Sequence, residues 1–107
     1  IGYSLVNQYI LCGFDVNSTS IYSLSYNTTD ITSFIKVALK YKQNDFALWV
    51  NGVEVSSQSS GNTFPIGTLT QMQFTSGTTS SKFFGNTKDL QVYTKALSDA
   101  ELIKLTT

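Results

Sequence analysis

The chain carries seven carboxylates (Asp15, Asp30, Asp45, Asp89, Asp99, Glu54 and Glu101), no histidine, and a single cysteine, Cys12. Without an imidazole, no Ser-His-Asp or Cys-His nucleophile can be assembled, because the base that takes the nucleophile's proton is missing. The same absence, with one thiol, removes histidine and thiolate zinc sites. Glycoside hydrolysis needs only two carboxylates, but here the acids are well separated in sequence and each has a local explanation. Turns account for Asp15, Asp30 and Asp45, the first turn of a terminal helix for Asp99, and helix capping for Glu101. The expectation is a chain that is not an enzyme.

Ligand contact is a different matter. Trp49 is the one tryptophan. Strand alternation puts it on the face opposite the main apolar face, in company with Lys36, Lys40 and Glu54. A tryptophan beside polar groups on a sheet can stack on a sugar ring, so Trp49, Lys40 and Glu54 are the candidate ligand-binding residues. The competing reading packs Trp49 beneath a loop, a sheet edge or the terminal helix. Asp89 lies inside an expected strand, where an acid is unusual. It can accept hydrogen bonds from loop backbone or contribute an oxygen to Ca²⁺; with no acids clustered near it, structural pairing is expected and no cofactor is called for. Cys12 sits in the apolar run Tyr9-Ile10-Leu11-Cys12-Gly13-Phe14 and reads as a buried small hydrophobe. Asn17-Ser18-Thr19 and Asn27-Thr28-Thr29 match the glycosylation pattern, which has meaning only for a chain that passes through a glycosylating secretory pathway.

Composition narrows the class further. A length of 107 residues suits one domain with one core, so 1–107 is read as a single domain. Formal net charge is zero and every basic residue is lysine. A nucleic-acid partner would call for a basic excess, and phosphate recognition favours the guanidinium fork that is missing here. No apolar run is long enough for a membrane span. Ser and Thr make up about a quarter of the chain, the usage of a strand- and turn-rich protein.

The elements that would carry these residues follow from period-two patterning. Residues 9–14 are apolar on both faces, which suits a covered strand. Residues 21–26 place Tyr22, Leu24 and Tyr26 on one face. In 33–42, Ile35, Val37, Leu39 and Tyr41 share a face and Lys36, Ala38, Lys40 and Lys42 the other. Phe46, Leu48 and Val50 alternate with Ala47 and Trp49, and Asn51-Gly52 then signals a two-residue type I′ hairpin. That register sets Val50 opposite Val53, Trp49 opposite Glu54 and Leu48 opposite Val55. Residues 43–45 can turn the chain, and a four-residue loop there would set Tyr41 opposite Phe46 and Leu39 opposite Leu48. One face then carries Ile35, Val37, Leu39, Tyr41, Phe46, Leu48, Val50, Val53 and Val55, and the other is at least partly wet. Phe64-Pro65-Ile66-Gly67 is a rim turn. Residues 71–75 form a strand with Met72 and Phe74 inward, and 88–93 form the last strand with Leu90 and Val92 on one face. Ser98 caps a terminal helix, with Glu101 completing a capping box and Leu97 and Leu102 a hydrophobic staple.

Two of these segments resemble a known family. Leu48-Trp49-Val50-Asn51-Gly52-Val53, followed by Phe84-Gly85, Asp89-Leu90-Gln91-Val92-Tyr93 and Ala96-Leu97-Ser98-Asp99-Ala100-Glu101-Leu102, is similar to the closing half of concanavalin A-like, laminin-G-like jelly-roll domains. The wording from Val37 to Val53 looks most like copies at the ends of bacteriophage tail-fibre and virion surface proteins. The resemblance implies an all-β antiparallel sandwich with a short C-terminal helix. Complete domains of the family are considerably longer. The chain, which begins at Ile1, is therefore read as part of a longer protein whose remaining strands lie elsewhere or come from a neighbouring subunit. Glucanases sharing this sandwich carry a Glu-x-Asp-x-x-Glu strand motif, and this chain has none. The implied function is a binding or adhesion module on a phage virion or otherwise extracellular surface, recognising host-surface glycan or protein. Its implied partners are other virion subunits and further copies of itself, a trimer if it sits on a fibre. Two alternatives stay open: a purely structural decoration or oligomerisation domain, and a carbohydrate-binding module of a secreted bacterial protein.

Overall fold

The computed structural model describes residues 2–4, 9–16, 19–28, 32–71 and 86–107. Two three-stranded antiparallel sheets pack together and one short helix follows, so the molecule is an all-β sandwich with a C-terminal helix. The first sheet has the order β1 (Gly2–Ser4), β2 (Tyr9–Val16), β3 (Thr19–Asn27). The second has the order β4 (Val37–Lys42), β5 (Asp45–Val50), β6 (Val53–Gln58). The helix is α1 (Asp99–Thr106).

The second sheet forms because its turns suit its sequence. Asn51 and Gly52 both have positive φ, 48° and 85°, as a type I′ hairpin requires. Gly52 is also held to glycine by space, since a Cβ there would lie 2.9 Å from the Thr107 hydroxyl oxygen. The β4–β5 turn has just two residues, Gln43 and Asn44. Lys42 pairs with Asp45, Tyr41 with Phe46 and Leu39 with Leu48. Asp45 is therefore a strand residue and not part of the turn, and Asp15 is likewise in a ladder, opposite Ser20.

The β5–β6 register holds for Val50 with Val53 and Trp49 with Glu54, then shifts. Leu48 faces Ser56, not Val55, because a β-bulge sets an extra residue of β6 between the pairs. Val55 occupies that bulge and still packs against the core.

The core between the sheets is built from Ile10, Cys12 and Leu24 on one side and Phe46, Leu48 and Val50 on the other. Tyr22, Tyr26, Ile35, Val37, Leu39, Val55 and Phe64 close around it. Tyr22 stacks at a tilt on Phe46, with ring centroids 4.2 Å apart. Burial pushes the Cys12 thiol above its ordinary value, which keeps it a neutral packing group. Three expectations are corrected. Leu11 is exposed, so β2 is covered on one face and not both. Val53, in the pair that closes the hairpin at the end of the sheet, is exposed, and so is Tyr41 beside the other turn.

The outer face of the second sheet is dry at its centre and wet at Lys36, Lys42 and Glu54, which stay exposed. Helix α1 lies on it and makes a second, smaller core from Ala47, Trp49 and Leu102, with Ala38 and Leu97 packed alongside. β5 is thus buried on both faces, in the middle of three layers.

The helix is capped as the sequence requires. The Ser98 N–H donates to Glu101 Oε2 at 2.8 Å, and the Glu101 N–H donates to Ser98 Oγ at 3.4 Å. At its other end the Gly52 N–H donates to Thr106 Oγ1 at 3.0 Å, and the Lys36 ammonium donates to the Thr107 carbonyl. No helix among the described residues is long and apolar enough to cross a membrane.

Residues 88–93 do not form the expected last strand. Among the described residues they pair with neither sheet, and Leu90 and Val92 are 51% and 68% exposed. Alternation makes a segment competent to pair but does not supply the partner. The inward Met72 and Phe74, and the Phe84-Gly85 opening, lie outside the described residues.

Candidate functional site

The sequence-selected trio is split by the fold. Trp49 sits under α1, 5% exposed, with its indole N–H buried and unpartnered among the described residues. A ring in that position offers no free face to a sugar, so Trp49 is corrected from candidate ligand contact to packing.

Lys40 and Glu54 do come together, lining one cleft of about 200 Å³ with Asp45, Ser57, Gln58 and Asp99. The cleft's lysine and both of its aspartates are already committed. Lys40 Nζ lies 2.8 Å from Asp45 Oδ1 and 3.4 Å from Asp99 Oδ1, with the lysine side chain 9% exposed. Burial pulls the Lys40 ammonium's affinity for its proton down, but the hydrogen bonds and charges of Asp45 and Asp99 outweigh it and leave it above the ordinary value. Lys40 therefore ties the β4–β5 hairpin to the helix.

Asp89 is exposed and accepts a hydrogen bond from Gln91 Nε2 at 2.8 Å. Its partner is a nearby side chain, where the sequence suggested loop backbone. No group of three or more Asp, Glu or Cys residues among the described residues is placed to hold a metal ion.

A larger depression of about 660 Å³ lies at the β4–β5 turn and was not anticipated. Its walls come from Tyr41, Lys42 and Gln43 on the hairpin, from Thr63 to Gly67 and Leu69 on the following loop, and from Tyr93, Thr94 and Ala96 ahead of the helix. Two reciprocal bonds hold the loop against the hairpin. Asn44 N–H donates to the Gly61 carbonyl at 3.0 Å, and Gly61 N–H donates to Asn44 Oδ1 at 3.1 Å. Gly61 has φ 139°, and a Cβ there would come 3.2 Å from both Ile21 and Phe46, so glycine permits this close approach.

Phe64 then anchors the loop in the intersheet core. A turn at Pro65, closed by the Thr68 N–H and hydroxyl onto the Pro65 carbonyl at 3.2 and 2.8 Å, leaves Ile66 fully exposed. Tyr41 and Tyr93 are 39% and 44% exposed, so both rings sit at the groove with surface to offer. Gln43, Thr63 and Thr94 supply an amide and hydroxyls beside them. The groove joins three segments distant in sequence. Its one readable signal was an aromatic, Tyr41, one residue before a turn.

No family model and no curated protein sequence matches the chain. Among solved structures, it is similar to a crystal structure of an S-layer domain-containing protein, residues 221–444, from Clostridium thermocellum, with a TM-score of 0.62 and 17% identity. The match covers 92% of this chain and 52% of that one, so this chain spans about half of that solved chain. At that identity the likeness is one of fold.

Proposed function

We propose that the chain is a non-catalytic binding module of a surface-displayed protein, at the end of a phage tail fibre or on another virion surface protein, and that it recognises host-surface glycan in the Tyr41–Tyr93 groove. One observation carries the reading: two half-exposed tyrosine rings share a groove with the amide of Gln43 and the hydroxyls of Thr63 and Thr94. A pyranose has apolar C–H faces and a hydroxyl rim, and a site of aromatic faces with a few placed polar groups suits both. Display outside a cell has two supports. The hairpin wording resembles virion proteins, and the sandwich is shared with a fragment of an S-layer domain-containing protein.

The test is a glycan array probed with the wild-type chain and with a Tyr41→Ala/Tyr93→Ala double variant. The wild type binds a subset of glycans, and the double variant binds them at least about tenfold more weakly with an unchanged circular dichroism spectrum. A wild type silent across the array sinks the glycan reading.

A second reading, self-association of a structural domain, is favoured by the exposed Leu90 and Val92 on a stretch that pairs with neither sheet among the described residues. Light scattering decides it, because a mass that stays monomeric from micromolar to millimolar chain removes it.

A further inference from the structure

The groove also indicates what kind of sugar it takes. Resting on the glycan reading above, we propose that the sugar bound between Tyr41 and Tyr93 carries a carboxylate, as a hexuronic acid does, and that Lys42 pairs with it. Lys42 is the single charged residue among the described residues that line the groove, and no carboxylate is among them. Its neighbour across the ladder is Asp45, which would ordinarily neutralise it. Asp45 turns instead to Lys40 at 2.8 Å, and Asp99 does the same at 3.4 Å. The ion pairs among the described residues both end on Lys40, so among those residues the Lys42 ammonium stands at the groove without a carboxylate partner.

The rest of the lining suits such a ligand. Gln43, Thr63 and Thr94 carry donors that can complete the coordination of a carboxylate oxygen or a ring hydroxyl, and the tyrosines hold the ring. Because the chain has zero net charge, it offers anions no overall attraction. Any preference for an acidic sugar must then arise locally and fade as salt screens it.

The experiment measures binding of the whole chain to matched pairs of oligosaccharides: glucose against glucuronate, galactose against galacturonate, mannose against mannuronate. Wild type, Lys42→Gln, Lys42→Arg and Tyr41→Ala are compared. For at least one pair the wild type favours the acidic member by about two- to fivefold at low salt, the range of a solvent-exposed ion pair. The preference shrinks as salt is raised, survives in Lys42→Arg, and disappears in Lys42→Gln, which still binds the neutral member. Tyr41→Ala weakens both members alike. Equal binding of both members by wild type, or a preference unchanged in Lys42→Gln, overturns the proposal and leaves the glycan reading standing. No binding to any member overturns both.

Discussion

Lys40 and Tyr41 are consecutive residues of β4, and the depressions they open onto use their polar groups in opposite ways. The Lys40 cleft holds more charge: a lysine, two aspartates and Glu54. Its lysine is nearly buried and already paired with both aspartates, so the group with most to offer a ligand is committed to fastening the hairpin to the helix. The Tyr41 groove has less charge but keeps its rings half exposed and its lysine without an ion pair among the described residues. In the proposed reading, a density of ionisable residues is a poor guide to a binding site, and what matters is which surfaces stay exposed once the fold has packed.

That contrast can be broken most forcefully at Trp49. Replacing it with alanine removes the centre of the layer between β5 and α1 and should cost about 3–5 kcal/mol in urea denaturation. The fraction that remains folded should bind glycan as the wild type does. A loss of affinity beyond the unfolded fraction would show that the helix side contributes to recognition.

A smaller effect is expected at Ser98. Its change to alanine removes the cap and should cost about 1 kcal/mol. It should also flatten an acid dependence. The Ser98 backbone N–H, and then its hydroxyl, hold the Glu101 carboxyl below its ordinary value of 4.5. A depressed folded-state value means the contribution is complete above 4.5 and fades as pH falls below it, through the folded value. Thermal unfolding followed downward from neutral pH should show the wild type losing more stability than Ser98→Ala in that window. Parallel curves would mean that the cap does not set it.

The smallest effect belongs to Lys40→Met. Its two partners are 47% and 66% exposed, so the ion pairs are screened and the change should alter stability by less than about 1 kcal/mol, with binding in the groove untouched. A large loss of glycan binding would relocate the site to the cleft.

The parts of this architecture that were legible in the sequence are those governed by neighbours in the chain. Asn51-Gly52 dictates its hairpin through φ, and Ser98 with Glu101 dictates the helix start through two orphan backbone groups. The bulge at Val55 was not legible, because no residue type there demands it and the alternation reads equally well without it. The fate of Trp49 depended on where α1 would dock, a long-range event that its own strand does not encode. The groove assembles Tyr41, Phe64 and Tyr93 from three segments, and the Asn44–Gly61 bonds tie the hairpin of the first to the loop of the second. Residues 88–93 show the converse: a strand-like pattern that pairs with neither sheet among the described residues.

The burial of Trp49 has an optical consequence. It is the one indole in the chain, and it sits in an apolar layer with no hydrogen-bond partner for its N–H among the described residues. Its emission should be blue-shifted in the native state and should move to the red as soon as α1 lifts away, before either sheet opens. The protein thus carries an intrinsic fluorophore that reports detachment of the terminal helix separately from global unfolding. A glycan titration in the Tyr41–Tyr93 groove, which Trp49 does not line, should leave that signal still.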